Sequence, residues 1–140
     1  MRKKLFCFAF AAVFLFPFTH LQAAHEIKRI DEGENKKIKI NENYSFKYVF
    51  PRKPKLGISV VKISVFDKDG KQSNALVING AYDMPQMRGH HSSGPVKFQI
   101  NKDSFYLMPL NSVMRGKWEI FLQFKEDDRV LYEGAIYIEI

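Results

Sequence analysis

The sequence predicts an all-β protein, an immunoglobulin-like β-sandwich of about seven to eight strands. Three observations lead to this prediction. Apolar and polar residues alternate with period 2 in nearly every apolar segment after residue 36, turn residues separate these segments, and no long stretch shows helical spacing. Successive side chains of a strand point to opposite faces of its sheet, so this pattern buries one face of each strand. Two such sheets packed face to face form a sandwich.

The first half of the predicted domain contains four strand-like segments. Residues 36–40 read KKIKI and alternate lysine with isoleucine, as expected for a strand with one solvated face. Residues 43–50 read NYSFKYVF, place Tyr, Phe, Tyr and Phe on one side, and end before a proline-containing connection. Residues 58–67 read ISVVKISVFD, are rich in β-branched side chains, and run into the turn sequence DKDG. The segment ALVING, residues 75–80, follows.

The second half supplies four more segments. VKFQI places Val96, Phe98 and Ile100 on one face, and residues 104–110 read SFYLMPL. In the segment KWEIFLQF, Trp118 shares a face with every second residue that follows it, so we expect a buried row of Trp118, Ile120, Leu122 and Phe124. The last segment, VLYEGAIYIEI, places five residues in phase with one another, namely Val130, Tyr132, Ile136, Ile138 and Ile140. Met108 lies within a strand pattern, which predicts a core position for it.

The N-terminus has the three parts of a secretory signal peptide. Three basic residues precede an apolar run from Leu5 to Phe18, and small residues follow at Ala23 and Ala24. The run is short for a membrane span. We therefore predict a signal peptide over residues 1–23, cleavage after Ala23 or Ala24, and a single β-sandwich domain over 24–140. An uncleaved membrane anchor is the alternative. The prediction places the mature protein in a bacterial periplasm or outside the cell, without a stable membrane span.

Removal of this segment changes both the charge and the redox chemistry of the protein. It takes three of the 22 basic residues, none of the 15 acidic ones, and the single cysteine, so the net charge falls from +7 to about +4. No disulfide and no thiolate metal site can then form. The remaining basic clusters are not interleaved with aromatic residues as in a nucleic-acid groove, so we expect no nucleic-acid partner.

A loop rich in methionine and histidine, which we expect to be exposed, interrupts the strand pattern. Residues 84–91 read MPQMRGHH, and Pro85 and Gly89 argue against a helix there. Thioethers are soft ligands that favour Cu(I), and imidazole binds both oxidation states of copper. Met84, Met87 and His90 are spaced three residues apart and could turn toward one point. The alternative is that the methionines close the open end of the sandwich and the histidines are merely exposed.

Two motifs in the chain resemble those of the YtkA-like/FixH-like family of small exported or membrane-anchored β domains. The first is Met-Pro-x-Met-x-x-His at residues 84–90, and the second is Met-x-Gly-x-Trp-x-Ile at residues 114–120. The resemblance covers roughly residues 58–140. It implies Met84, Met87, His90 and Met114 as the matching metal ligands, with His91 beside them as a substitute nitrogen donor. It also implies a copper-accepting envelope protein or an oxidase assembly factor as a partner.

Together, the residues and the resemblance predict a periplasmic or exported Cu(I) chaperone or buffer that is not an enzyme. The sequence contains no nucleophile elbow, HExxH motif, phosphate-binding loop or paired-carboxylate signature. The alternative is a non-catalytic envelope accessory or protein-interaction module that binds no metal. The role of Met114 as ligand or core residue is left open by the residues themselves.

Overall fold

The computed structural model describes residues 27–140, and strands dominate this part of the chain. The predicted signal peptide, residues 1–23, and its cleavage positions lie outside the described residues. The regular elements are ten strands and one turn of 3-10 helix at Pro85–Met87. The strands are β1 (Lys28–Arg29), β2 (Ile38–Lys39), β3 (Tyr44–Val49), β4 (Gly57–Asp67), β5 (Val77–Asp83), β6 (Val96–Lys97), β7 (Gln99–Ile100), β8 (Tyr106–Ser112), β9 (Lys117–Glu126) and β10 (Arg129–Glu139).

The strands form two sheets of five. The first sheet has the order β1-β10-β9-β5-β6, and the second has the order β2-β3-β4-β8-β7. All pairs are antiparallel except β1 with β10. The predicted β-sandwich is therefore confirmed. Among residues 27–140, no helix has the length and apolar composition needed to cross a membrane.

The core lies between the sheets and follows the predicted alternation. Trp118, Ile120, Leu122 and Phe124 on β9 are fully buried, as predicted. They belong to one cluster with side chains of the second sheet, including Phe46, Ile63, Val65, Met108 and Leu110. The prediction that Met108 is a core residue is also confirmed, because its side chain is completely buried. Burial of such apolar side chains stabilises the fold by about 25 cal/mol for each Å² of apolar surface removed from water.

The prediction that Val96, Phe98 and Ile100 share one face of a single strand was wrong. Only Phe98 is buried, and Ile100 is 49% exposed. The segment contains two short strands in different sheets, since β6 pairs with β5 and β7 pairs with β8. The backbone crosses between the sheets at Phe98, whose N–H donates to the Ile78 carbonyl at 2.9 Å. A period-2 pattern applies only within one strand, so it does not extend across this crossing.

One end of the sandwich brings together segments that are far apart in the sequence. Gly57 pairs with Ser112 in the second sheet, and Asp83 pairs with Glu119 in the first. The Met114 turn, defined as residues 113–116, connects β8 to β9 at this end. The Met/His loop, residues 84–91, leaves β5 beside it. We call this the loop end, and the opposite end, with the turns at residues 67–70, 101–104 and 126–129, the turn end.

Candidate functional site

The Met/His loop is built from consecutive tight turns. The Met87 N–H donates to the Met84 carbonyl at 2.9 Å, and the His90 N–H donates to the Met87 carbonyl at 3.1 Å. Gly89, which precedes His90, has a φ of +82°, a left-handed conformation that glycine adopts readily. The absence of a long helix, predicted from Pro85 and Gly89, is confirmed, because only one turn of 3-10 helix forms.

Asp83, the last residue of β5, closes this loop. One carboxylate oxygen accepts the Met84 N–H and the other accepts the Gly89 N–H, each at 2.8 Å. The hydrogen bond from Gly89 is the largest cause that lowers the pKa of Asp83, and Met84, Arg88 and His91 act in the same direction. Because both oxygens are used within the loop, Asp83 has a structural role in shaping it.

An ion pair of Arg88 attaches the loop to the outer face of the first sheet. Its guanidinium pairs with Glu119 Oε2 on β9 at 2.5 Å, and the Tyr137 hydroxyl donates to Glu119 Oε1 at 2.7 Å. Glu119 is 7% exposed, so a buried carboxylate has a partner at each oxygen. The hydrogen bond with Glu119 is the main cause that raises the pKa of Arg88 and that of Tyr137. This pair holds the middle of the Met/His loop against β9.

The expectation that Met84 lies on an exposed loop was wrong, because its side chain is 4% exposed and belongs to the core cluster. The reason is register. Ile78 and Gly80 on β5 are buried, and Met84 continues the same inward phase just past the end of the strand. Its methyl carbon lies 3.0 Å from the position that a Cβ on Gly116 would occupy, so it reaches the Met114 turn.

Trp118 lies beside both segments that carry the predicted ligands. Its indole N–H donates to the Met114 carbonyl at 3.1 Å, which fixes the backbone of the Met114 turn. The ring of His91, which is half-buried, lies 6.3 Å from the Trp118 ring, measured between centroids. Met84, His91 and Met114 therefore lie at one end of the sandwich, although they come from two separate segments.

Met87, His90 and Met114 are the more exposed members of the predicted ligand set. Met87 and Met114 are each 38% exposed, and His90 is also exposed. Within residues 27–140, no three side chains of the His, Cys, Asp and Glu types come together as a metal site. The predicted ligands are instead thioethers and imidazoles, carried by two segments that meet at the loop end.

Two features of this end were not foreseen from the sequence, namely the burial of Glu119 and the contact of Gly116 with Met84. In the segment KWEIFLQF, Glu119 occupies an outward-facing position next to Trp118, where a solvated carboxylate is the ordinary expectation. Its burial arises from Arg88 and Tyr137, which are distant in sequence. The order Met-Arg-Gly before the tryptophan strand indicates a turn at Gly116. It does not indicate that the Met84 side chain lies against that turn.

No protein-family model matches the chain, and no curated protein matches it either. The resemblance to the YtkA-like/FixH-like family therefore depends on the two motifs at residues 84–90 and 114–120.

Proposed function

We propose that this chain is an exported copper-binding protein that holds Cu(I) at the loop end of its β-sandwich. The proposed role is that of a copper chaperone or buffer without catalytic activity. Its ligands are Met84, Met87, His90 and Met114, with His91 as a substitute nitrogen donor. The resemblance to the YtkA-like/FixH-like family and the signal-like N-terminus support a periplasmic or secreted location. They also support a copper-accepting envelope protein or an oxidase assembly factor as the partner.

The observation that carries the proposal is that the two segments bearing the soft donors meet at the loop end. Met84 reaches the Met114 turn at Gly116, and Trp118 holds the Met114 carbonyl. The His91 ring lies beside the same indole. Thioether sulfur is a neutral soft ligand and imidazole a borderline one, and this combination suits Cu(I) better than Mg²⁺, Ca²⁺ or Zn²⁺. In an oxidising compartment such a site needs no thiolate.

The burial of Met84 defines how such a site would be reached. Met87 and Met114 supply the exposed thioethers, and Met84 closes the site from the side of the core. Methionine has three rotatable bonds, so its sulfur can be repositioned at a small cost. Thioethers do not titrate, so the binding of copper by the methionines requires no loss of a proton.

A second candidate function is a non-catalytic interaction module that binds no metal. Two observations favour it, namely the packing of Met84 in the core cluster and the exposure of Met87 and Met114. Methionine adapts its shape to different partners and is enriched at protein interfaces, so exposed methionines also suit a docking surface.

Competition of the protein with a chromogenic Cu(I) chelator, under anaerobic conditions, separates the two candidates. The double variant Met87→Leu/Met114→Leu keeps apolar volume and removes both exposed sulfurs. We expect its Cu(I) affinity to fall by more than about tenfold, since changes to residues that only orient metal ligands already cost about 10–100-fold. Met108→Leu is the matched control, because Met108 is a fully buried core residue.

The control should bind Cu(I) as the unchanged protein does. Met84→Leu is measured in parallel, and its cost to stability should stay below about 1.5 kcal/mol because the volume is nearly conserved. If both the double variant and Met84→Leu keep the fold and the original Cu(I) affinity, the methionines are packing or docking residues. The metal-free interaction module is then the better description.

A further inference from the structure

The outer face of the second sheet has an unusual distribution of charge. Residues 43–66, which include β3 and all of β4 but its last residue, contain five basic residues and no acidic one. The sequence of β8, YLMPLNS, contains no charged residue at all. In the first sheet, by contrast, the long strands carry carboxylates, namely Asp83, Glu119, Glu126, Glu133 and Glu139. The second sheet therefore presents a positive face.

Aliphatic side chains are exposed in the middle of this positive face. Ile58 is 72% exposed and Val60 is 37% exposed, because they occupy outward positions of β4 that alternate with the buried Ser59 and Val61. In register with them on β8, Asn111 is opposite Ile58 and Pro109 is opposite Val60. Leu56, which precedes β4, is 44% exposed. An exposed apolar patch with a charged rim marks a surface that another body covers.

The basic residues are held beside the aliphatic ones by the fold. A groove of about 340 Å³ is lined by Arg52, Lys53, Lys55, Ile58, Val60 and Leu107, among others. The connection that carries these cations is fixed to β4, since the Lys55 N–H donates to Ser59 Oγ at 3.2 Å. We call the six lining residues just named the basic–apolar face.

The composition of this face distinguishes between the kinds of partner it could take. Protein interfaces are enriched in aromatic residues, methionine and arginine and depleted in lysine. The basic–apolar face instead combines two lysines and one arginine with aliphatic side chains. An anionic lipid surface attracts each lysine or arginine that comes near it. Aliphatic side chains can enter the boundary between headgroups and acyl chains. Lysine stems can lie along that boundary while their charges stay at the headgroups.

We propose that the basic–apolar face docks the domain on the surface of a bilayer that contains anionic phospholipid. In this arrangement Arg52, Lys53 and Lys55 contact the headgroups, and Ile58 and Val60 lie against the acyl boundary. The loop end stays accessible at the edge of the docked face, because Met114 lies beyond the end of β8. This inference does not depend on copper binding.

Sedimentation with vesicles tests the proposal. The full chain is expressed, and the protein is purified in the form that export produces. The vesicles contain equal parts of phosphatidylglycerol and phosphatidylethanolamine, and phosphatidylcholine vesicles serve as the uncharged comparison. We expect binding to the anionic vesicles that weakens with added salt. Lys53→Gln/Lys55→Gln should lower the partition coefficient by about 25-fold, since each cation near the surface contributes about fivefold.

Lys68→Gln/Lys71→Gln is the matched control. It removes the same charge from two exposed lysines at the turn end, so binding should change by less than about threefold. Ile58→Ser tests the apolar part, because this exposed side chain can be changed without disturbing the core, and binding should again fall. A retained apolar N-terminal segment would bind anionic and uncharged vesicles equally well. None of the substitutions would change that binding.

Two results would overturn the proposal. One is equal binding to the anionic and uncharged vesicles, or an equal loss of binding in the turn-end control. The other comes from soluble polyglutamate used as a probe. If the unchanged protein binds polyglutamate but not vesicles, and Lys53→Gln/Lys55→Gln loses that binding, the face takes an acidic polypeptide and not a lipid surface.

Discussion

The two ends of the sandwich are held together by different kinds of contact. At the turn end, Asp67 Oδ1 accepts the N–H groups of Asp69 and Lys71, each at 2.9 Å, so the turn is made within a few residues. At the loop end, Arg88 pairs with Glu119, and Gly116 and Ile140 exchange two backbone hydrogen bonds. Local contacts of the first kind can be read from the sequence, whereas those of the second kind depend on the completed fold.

Two carboxylates make the comparison direct. Glu119 at the loop end accepts a hydroxyl from Tyr137 and pairs with Arg88, whereas Glu126 at the turn end accepts a hydroxyl from Tyr44 and pairs with an arginine three residues away. The side chain of Glu119 is 9% exposed and that of Glu126 is 34% exposed. The same chemical arrangement should therefore contribute more at the loop end, because water screens the turn-end pair.

The largest expected effect comes from Trp118→Ala. The loss of a fully buried indole should reduce the free energy of unfolding by about 3–5 kcal/mol, measured by chemical denaturation. Phe124→Ala is the control, since this equally buried residue lies nearer the turn end of the same strand. Both variants should lose stability, but only Trp118→Ala should increase hydrogen exchange of the His90 amide relative to the amides of the turn end.

This first prediction also has a clear point of failure. A loss well below about 1 kcal/mol for Trp118→Ala would mean that the indole contributes little to the core. Equal acceleration of the His90 amide in both variants would mean that the loop responds to general loss of stability. In that case Trp118 and the Met114 turn do not specifically stabilise the Met/His loop.

Glu119→Gln should have a smaller effect. Replacing the carboxylate by an amide of the same shape removes the ion pair with Arg88, and the expected loss is about 1 kcal/mol because Arg88 is largely solvated. The pKa of Tyr137 should fall toward its ordinary value, since the hydrogen bond to Glu119 is the main cause that raises it. NMR titration of labelled tyrosine measures this pKa.

Glu126→Gln is the matched variant at the turn end. Its loss of stability should stay within about 0.5 kcal/mol, as for other exposed pairs. It should still lower the pKa of Tyr44, whose main raising cause is the hydrogen bond to Glu126. Equal stability losses for Glu119→Gln and Glu126→Gln would contradict the claim that burial separates the two ends.

The smallest expected effect is the acid response of the Met/His loop. Hydrogen bonds from Gly89 and Met84 lower the pKa of Asp83 in the folded protein, so this group stabilises the fold above its unfolded pKa of about 3.9. That contribution is lost as the pH falls through the lower, folded-state pKa. The amide chemical shift of Gly89 should follow this titration, and it should not do so in Asp83→Asn. A Gly89 shift unchanged over this range would show that the carboxylate does not hold the loop.

Prediction from sequence succeeded where a residue's environment depends on its near neighbours. The strands, the buried row that begins at Trp118 and the irregular loop at Pro85 and Gly89 all follow from local patterns. It failed at Ile100, where the chain changes sheets, and at Met84, where the strand register continues into the loop. The ligand set at residues 84–91 and Met114 stays a prediction that copper titration can test.

By itself, the sequence determined that this is a two-sheet β protein with a methionine- and histidine-rich loop, because period 2 and turn residues act over a few positions. Only the tertiary structure decided that Met84 lies beneath the loop, that Glu119 is buried under Arg88 and Tyr137, and that aliphatic and basic residues share one outer face. Each of these results joins residues from different strands, and their proximity arises from strand order and register, which no single segment encodes.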